Sequence, residues 1–315
     1  MCKEVSIIMP NYNCLEYLPK AIDSVLQQQD VRFELIVVDD GSTDGSLEWL
    51  KTAEQKYNQL RVLTQPNQGV IAARNRAIKK ANGQFIAFLD ADDYWYPNKL
   101  RKQVDYMLAN PNCGLTFTNY QHVDTKYQEI IDCYSYWPEF AAHRTQNNGD
   151  YQPLHDALGL LLIANVIGTS CVMVNKDIIE RAGGFDPSLR SASDWDCWLR
   201  IALISEVGFS EDITMDYLMR PNSITANKQN RIDAMAEITE RICTLGNVSQ
   251  TVRRKANARL LESYGEMHRE NGDLTTAISF SYKAFKQYPH KRHLKHLCSD
   301  LKRLAILRVN ALCQV

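Results

Sequence analysis

Continuous apolar runs alternate with amphipathic stretches through the first part of the chain. The runs are typical of strands covered on both faces, and the stretches between them place apolar residues at helical spacing. The predicted strands are Val5–Met9, Phe33–Val38, Arg61–Leu63 and Phe85–Leu89. A capping box at Asn13 and Glu16 is predicted to open the first helix. This alternation predicts an α/β fold with an open, mainly parallel sheet and helices on both faces.

Acidic residues follow two of these strands at the point where each strand ends. They are Asp39 and Asp40 after the second strand, and Asp90, Asp92 and Asp93 after the fourth. Because the carboxyl ends of parallel strands meet at one edge of a sheet, both groups are expected to converge on one crevice. Adjacent carboxylates repel one another, so uncompensated members would have raised pKa values. Carboxylate oxygens are ligands that Mg²⁺ and Mn²⁺ prefer, which predicts a metal-diphosphate site.

A helix cap is the alternative interpretation of the acids after the fourth strand. Asp92 or Asp93 could cap a helix that enters at Pro97, and the Asp-x-Asp pattern alone leaves both interpretations open. The sequence has no G-x-G-x-x-G after the first strand and no G-x-x-x-x-G-K-[ST]. A diphosphate would therefore be held by a cation and by arginines.

The middle of the chain is less regular. Residues 114–119 predict a strand, and residues 121–151 are predicted to form a long polar and aromatic loop. Ser193 is predicted to cap a helix. Asp194 and Asp196 lie in its first turn, where they either favour the helix dipole or supply a general base.

From Asn227 onward the pattern is helical, which divides the chain into a first domain over 1–226 and a helical extension over 227–315. Residues 256–288 resemble a single tetratricopeptide helical pair. The tail over 283–308 interleaves Lys, Arg and His with leucines. It is predicted to be either a solvated helical face or a peripheral contact with anionic lipid at the inner face of the membrane.

Composition and charge narrow the classes of function. The 315 residues carry a formal net charge of −1 with a pI near 6.7, which gives no argument for a nucleic-acid partner. Nine cysteines are scattered without a C-x-x-C pair, which fits a reducing compartment better than a disulfide framework or a zinc site. The chain enters a strand directly, with no signal-peptide pattern, so a cytoplasmic location is expected.

Six segments of the chain match a known family in the family's own order. They are Ser6–Asn13, Ile36–Asp44, Asn67–Asn75, Phe88–Lys99, Gly183–Asp186 and Ser193–Arg200. Together they resemble the family 2 inverting glycosyltransferases of the GT-A fold, which is Rossmann-like. Each motif alone is weak, but the joint match over roughly residues 3–225 is highly specific.

The resemblance implies a donor site for a UDP-sugar. Asp39 would contact the uracil, with Pro10, Asn11, Tyr12 and Arg74 near the nucleoside. Five residues would thus form the nucleoside side of the site.

The resemblance also implies the roles of three carboxylates. Asp90 would face the ribose or the sugar, and Asp92 would bind the Mn²⁺ or Mg²⁺ that bridges the diphosphate. Asp194 would be the general base that takes the proton of the acceptor hydroxyl, while the cation stabilises the departing UDP. In-line attack would invert the anomeric configuration. The implied acceptor is a carbohydrate or lipid-linked hydroxyl in polysaccharide or cell-surface glycan synthesis.

Two positions depart from the family pattern. Ser193 precedes Asp194 where many relatives have an acid, which leaves Asp194 as the base with Asp196 in reserve. After Tyr217 the family often has a histidine near the diphosphate, whereas this chain has Arg220. Arg220 either holds the diphosphate as a fixed cation or forms a surface salt bridge.

Two other functions stay open on the sequence. A non-catalytic nucleotide-sugar-binding or scaffold protein would bind a UDP-sugar without turnover. A metal-dependent nucleotidyltransferase would also use acidic strand ends, but it would release pyrophosphate from a nucleoside triphosphate.

Overall fold

The computed structural model of the protein describes residues 4–142, 149–220 and 227–312, with side chains up to residue 307. The predicted domain boundary after residue 226 and residues 143–148 of the predicted loop lie outside the described residues.

Helices and strands alternate along the first unit, and helices alone form the second. In chain order the elements are β1 (Val5–Asn11), α1 (Leu18–Leu26), β2 (Phe33–Asp39), α2 (Ser46–Lys56), β3 (Leu60–Thr64), α3 (Val70–Lys80), β4 (Phe85–Phe88), β5 (Tyr94–Trp95), α4 (Lys99–Ala109), β6 (Cys113–Val123), β7 (Glu129–Asp132), α5 (Cys133–Tyr136), α6 (Pro138–Ala141), β8 (Gln152–Pro153), α7 (Ala157–Ile163), β9 (Met173–Asn175), α8 (Lys176–Arg181), α9 (Ser193–Ala202), β10 (Glu206–Leu218), α10 (Lys228–Leu245), α11 (Gln250–Glu270), α12 (Leu274–Gln287) and α13 (Lys291–Leu312). Two compact units result, one built on β1–β10 with α1–α9 and one on α10–α13.

One mixed sheet organises the first unit. Its strand order is β3-β2-β1-β4-β9-β6-β10-β5, with β7 paired to β6 and β8 paired to β10. Strands β1 to β4 are mutually parallel, β6 and β10 are parallel to each other, and β9 runs antiparallel between β4 and β6. The predicted α/β fold, with a mainly parallel sheet and surrounding helices, is confirmed.

The apolar runs form the centre of that sheet. Every residue of β1, β2 and β4 is buried, which is why these strands lack polar alternation. Burying a large aliphatic side chain contributes about 1.5–3 kcal/mol each relative to exposure. These strands therefore fix the positions of the polar residues that follow their carboxyl ends.

The first helix begins later than the capping box predicted. It starts at Leu18, and Asn13 adopts a left-handed backbone conformation with φ of 50°. The Asn13 Oδ1 instead accepts a hydrogen bond of 2.7 Å from the backbone N–H of Thr43. The capping prediction was wrong because this side chain joins the loops after β1 and β2.

The predicted loop over residues 121–151 was also wrong for much of its described part. Strand β6 continues to Val123, and β7, α5 and α6 follow it. Tyr134 and Phe140 are fully buried with ring centroids 4.4 Å apart, and both pack near Phe117. The aromatic composition therefore marks a core that is built from short elements.

Strand β10 was not predicted as a strand. It carries Glu211, Asp212 and Asp216, and its pairing with β6 shifts register between Ser210 and Ile213. A bulge of this kind breaks the period of alternation from which strands are recognised. The strand nevertheless carries the chain to the edge of the sheet where the acidic residues lie.

The second unit is helical as the pattern from Asn227 predicted. Helices α11 and α12 are joined through Gly272, which has φ of 82°. Asp300 on α13 is fully buried and accepts hydrogen bonds from Arg269 at 2.5 and 2.8 Å and from Ser281 at 2.9 Å. A search of the described helices finds none that is both long and apolar enough to cross a membrane.

Candidate active site

The residues predicted to bind the nucleoside meet where β1 and β2 end. Asn11 and Asp39 are register partners, and the Asn11 amide donates a hydrogen bond of 2.8 Å to the Asp39 carboxylate. The backbone N–H of Ser42 donates to the other carboxylate oxygen at 3.1 Å. Pro10 is buried inside β1, whereas Tyr12 is 47% exposed. The site thus combines a fixed carboxylate with an aromatic ring that is open to a ligand.

Asp40 has a structural role in this arrangement. Its carboxylate accepts hydrogen bonds from the Gln65 side chain and from the backbone N–H groups of Gln68 and Gly69, at 2.7 to 2.8 Å. These bonds fix the turn that begins α3. Because Arg74 lies one turn further along α3, Asp40 also sets the position of that arginine.

Arg74 connects two parts of the site. It is only 6% exposed, and its Nη2 lies 2.6 Å from Asp90 Oδ1. Burial works against its charge, but the negative charges of Asp90 and Asp194 outweigh that effect and raise the pKa of Arg74. Arg74 is therefore a fixed cation between the acid after β4 and the acid at the start of α9.

Asp92 pairs with the second predicted arginine. Its carboxylate lies 2.5 Å from Arg220, whose guanidinium also lies over the Tyr17 ring and 3.9 Å from the Cys14 sulfur. Burial, together with the charge of Asp90, raises the pKa of Asp92 above its ordinary value, and Arg220 offsets only part of the rise. Asp92 would therefore gain from a further cation.

Asp93 does not cap a helix, although its position in the sequence allowed that interpretation. Helix α4 begins at Lys99 with Asn98 at its N-cap, and Asp93 is 4% exposed. Its carboxylate accepts hydrogen bonds from the Ser170 hydroxyl at 2.5 Å and from the backbone N–H of Leu218 at 3.2 Å. Burial and the charges of the two neighbouring acids raise its pKa well above the ordinary value, as the repulsion argument predicted. Asp93 therefore joins the end of β4 to two distant segments.

The two acids at the start of α9 have different surroundings. Asp194 is partly exposed, and its carboxylate accepts hydrogen bonds of 2.9 Å from the Thr169 hydroxyl and from the backbone N–H of Trp195. Asp196 is fully buried and pairs with Arg200 at 2.7 Å, and Arg200 in turn donates to the Gly184 carbonyl. Asp196 is thus part of the framework, which leaves Asp194 as the accessible acid.

A cavity of about 590 Å³ lies beside Arg220. Its lining residues are Asn13, Leu15, Glu16, Tyr17, Asp44, Thr125 and Arg220. The volume falls in the range of small-molecule sites. Arg220 therefore contacts both Asp92 and a space that could accept part of a ligand.

The metal that the acids imply would need oxygens from a bound substrate. In the described part of the chain, no group of three or more His, Cys, Asp or Glu residues is arranged to hold a metal ion. Asp90 and Asp92 supply two carboxylates, and Mg²⁺ or Mn²⁺ commonly combines so few protein ligands with phosphate oxygens. The donor set therefore fits a metal that binds together with a diphosphate.

Sequence reasoning missed the hydroxyl groups of Thr169 and Ser170. Both residues lie in a short 3-10 turn before β9, and both are buried. The only signal in the sequence is that Gly168, Thr169 and Ser170 interrupt an apolar segment. Nothing in that pattern indicates which carboxylates the hydroxyls contact, because those partners lie 25 and 77 residues away.

Known proteins of one enzyme family match this chain. The model of Glycosyl transferase family 2 matches residues 6–175. The putative teichuronic acid biosynthesis glycosyltransferase TuaG of Bacillus subtilis is 32% identical over 228 residues, which are 71% of this chain and 82% of TuaG. The UDP-Glc:alpha-D-GlcNAc-diphosphoundecaprenol beta-1,3-glucosyltransferase WfgD of Escherichia coli is 42% identical over 121 residues, 38% of this chain and 47% of WfgD. The chain spans only about a third of the length of some longer curated relatives.

A solved structure shares the GT-A fold. The mannosyltransferase PcManGT of Pyrobaculum calidifontis, in complex with GDP-Man and Mn²⁺, aligns with a TM-score of 0.65 over 97% of this chain and 81% of its own. The sequence identity is 18%, so the likeness concerns the fold.

The contrast between Asp194 and Asp196 gives a stability prediction. Asp196→Asn should lower the free energy of unfolding by about 3 kcal/mol, because Arg200 would keep a buried charge without its counter-ion. Asp194→Asn, at a partly exposed position, should lower it by no more than about 1 kcal/mol. Urea unfolding followed by tryptophan fluorescence checks this, since all five tryptophans lie in the first unit. Equal losses for the two variants would contradict the assignment of Asp196 to the framework.

Proposed function

The chain belongs to glycosyl transferase family 2, and we propose that it moves a sugar from a UDP-sugar to a hydroxyl of a carbohydrate or lipid-linked acceptor. The observation that carries the proposal is the buried Arg74, which pairs with Asp90 and lies in the field of Asp194. The acid proposed for the donor site, Asp90, and the accessible candidate base, Asp194, thus interact with the same cation, Arg74. The names of TuaG and WfgD support a role in cell-surface polysaccharide synthesis.

The nucleoside is proposed to bind against Asn11, Tyr12 and Asp39. The Asn11 amide and the Ser42 backbone hold the Asp39 carboxylate in one orientation, and its remaining lone pairs can accept the uracil N–H. The exposed Tyr12 ring offers a surface for stacking. Pro10 would support this loop from inside the sheet.

The diphosphate is proposed to bind beside Asp90 and Asp92, with Arg220 as a fixed cation. Asp92 and Asp90 would hold Mn²⁺ or Mg²⁺ together with phosphate oxygens. When bound, the metal would stabilise the charge that develops on the departing UDP. Arg220 would add a charge-assisted hydrogen bond to the diphosphate in the place where relatives often carry a histidine.

Asp194 is proposed to accept the proton of the acceptor hydroxyl as that oxygen attacks the anomeric carbon. Its partial exposure gives an acceptor access, and its two hydrogen bonds fix the carboxylate. Attack from the face opposite the UDP inverts the anomeric configuration. The step forms the new glycosidic bond, breaks the bond to UDP and moves the hydroxyl proton to Asp194.

Replacement of the base tests the proposed reaction. Asp194→Asn should lower transfer by about 10²-fold or more, because general-base catalysis is lost, while UDP binding persists. The donor is chosen beforehand by a thermal-shift screen of UDP-, GDP- and dTDP-sugars with Mn²⁺. Transfer is then measured as UDP release that depends on acceptor, and calorimetry measures UDP binding.

Asp177→Asn is the matched control for this experiment. Asp177 is an exposed acid in the first turn of α8, as Asp194 is an acid in the first turn of α9. It should keep wild-type activity if the role of Asp194 is chemical rather than a favourable interaction with a helix dipole. Full transfer activity of Asp194→Asn would contradict the base assignment. Release of pyrophosphate from a nucleoside triphosphate would instead indicate a nucleotidyltransferase.

The cation arrangement predicts how UDP binding depends on metal. Asp92→Ala should abolish the increase in UDP affinity that Mn²⁺ causes in the wild type, measured by calorimetry with Mn²⁺ and with a chelator. Arg220→Gln should weaken UDP binding about tenfold in the chelator, because one charge-assisted hydrogen bond to the diphosphate is lost. An unchanged effect of Mn²⁺ in Asp92→Ala would contradict the metal assignment.

Peripheral contact with anionic lipid is proposed for α13. Leu294, Cys298 and Leu301 are exposed at helical spacing and form one apolar stripe. Lys291, Lys295 and Lys302 are exposed next to this stripe. The single acid of α13, Asp300, is buried and paired with Arg269, so the exposed face carries cations without acids. This charge pattern favours an anionic lipid surface as the partner.

Vesicle binding checks the membrane proposal. Lys295→Glu with Lys302→Glu should weaken co-sedimentation with phosphatidylglycerol-containing vesicles at least about tenfold, since each basic residue near such a surface contributes about 1 kcal/mol. Lys51→Glu with Lys56→Glu, exposed on α2, is the matched control with the same change in charge. Equal binding of the wild type to pure phosphatidylcholine vesicles, or self-association through the same stripe, would contradict the proposal.

A further inference from the structure

The turn at Thr169–Cys171 lies between the acids after β4 and the acid at the start of α9. The Thr169 hydroxyl donates to Asp194 Oδ2 at 2.9 Å. The Ser170 hydroxyl donates to Asp93 at 2.5 Å and accepts from the backbone N–H of Asp90 at 3.0 Å. Adjacent residues thus each hold a different part of the site.

We propose that Thr169 and Ser170 are positioning residues that set Asp194 relative to the donor-binding acids. The proposal deepens the proposed function and rests on it. Thr169 would hold the base, and Ser170 would hold the end of β4. Because the two are consecutive residues, a shift of the turn's backbone would move both hydroxyls. Neither hydroxyl is assigned a contact with substrate.

The turn is suited to this role because the surrounding core anchors its backbone. The Trp95 indole N–H donates to the Ser170 carbonyl at 2.7 Å. The Gln103 amide donates to the Cys171 carbonyl at 3.2 Å, and the buried Lys99 ammonium donates to Gln103 at 2.6 Å. The carbonyls of Ser170 and Cys171 are therefore both held by side chains of the surrounding core. A rigid support of this kind is what precise placement of a catalytic carboxylate requires.

The residue before the turn adds a steric anchor. A Cβ atom on Gly168 would lie 3.0 Å from the Tyr120 ring, which is closer than ordinary contact. Tyr120 is itself buried. The backbone at Gly168 therefore fits closely against this ring, which leaves little free space beside the start of the turn.

Asp194 needs such support because its own helix fixes only one of its oxygens. Oδ1 accepts from the backbone N–H of Trp195, and Oδ2 depends on Thr169. The titratable groups that face Asp194 from other described elements are Arg74 on α3 and Tyr217 on β10, while Cys197 lies on its own helix. Of these groups Arg74 carries a charge, because burial raises the pKa values of Tyr217 and Cys197 and keeps both neutral. The charge of Arg74 acts at longer range than a hydrogen bond and does not set the carboxylate plane.

The test compares an isosteric substitution at Thr169 that removes the hydroxyl with one that keeps it. Thr169→Val removes the hydroxyl and should lower kcat about tenfold, with the KM for the UDP-sugar and the affinity for UDP unchanged. Thr169→Ser keeps the hydroxyl and should restore kcat to near the wild-type value. A purely structural role would give parallel effects on melting temperature and on both kinetic constants.

Ser170→Ala provides the second arm of the test. It should weaken binding of UDP with Mn²⁺, measured by calorimetry, because Asp93 and the Asp90 amide lose their shared partner. If this variant unfolds, Ser170→Thr, which keeps the hydroxyl, should bind UDP with Mn²⁺ as the wild type does, and weakened binding by that folded variant would contradict the role of Ser170.

The outcomes separate this inference from the proposed function. The positioning role would be overturned by an unchanged kcat in Thr169→Val, or by a loss of kcat in Thr169→Ser as large as that in Thr169→Val. In either case, inactivity of Asp194→Asn would still support the base assignment. Full activity of Asp194→Asn would instead overturn the base assignment itself, and the positioning of Asp194 with it.

Discussion

The burial of acidic side chains at the end of β4 is the constraint on which the site depends. Asp90, Asp92 and Asp93 follow a strand whose residues are all buried, and burial raises the pKa values of Asp92 and Asp93. Arg74 pairs with the first acid and Arg220 with the second, while hydrogen bonds hold the third. The compensation is incomplete, because the pKa values of Asp92 and Asp93 remain raised. A cation that binds together with the donor would compensate the negative charge that the protein's own groups leave uncompensated.

The same constraint explains why the site draws on distant parts of the chain. The end of β4 is fixed by its parallel pairing with β1, so the partners of its acids must come from other elements. Arg74 comes from α3, Ser170 from the turn before β9, and the Leu218 amide from the end of β10. Arg74 and the turn before β9 connect this group of acids to the accessible Asp194. A parallel sheet allows this convergence because its strands end at one edge.

The sequence predicts those features whose cause is local. The apolar runs of β1, β2 and β4 are continuous because both faces are covered, and acids lie at the ends of β2 and β4. The helix-cap interpretation of Asp93 stayed open on the sequence because its partners, Ser170 and Leu218, lie 77 and 125 residues away. The buried ring of Tyr134 was assigned to a loop because aromatic residues between polar ones show no period. Strand β10 escaped recognition because its bulge breaks the alternation.

The arginine at position 220 changes how the donor side can work. A histidine near the diphosphate would carry its charge only below a pKa close to neutrality, whereas an arginine is charged at every physiological pH. In the structure that permanent charge is directed at Asp92. Under the proposed function, Asp92 would help to hold the metal, and its ion pair with Arg220 would compete with that role. An Arg220 guanidinium that is not paired with Asp92 would then be able to donate to the diphosphate and stabilise the leaving group.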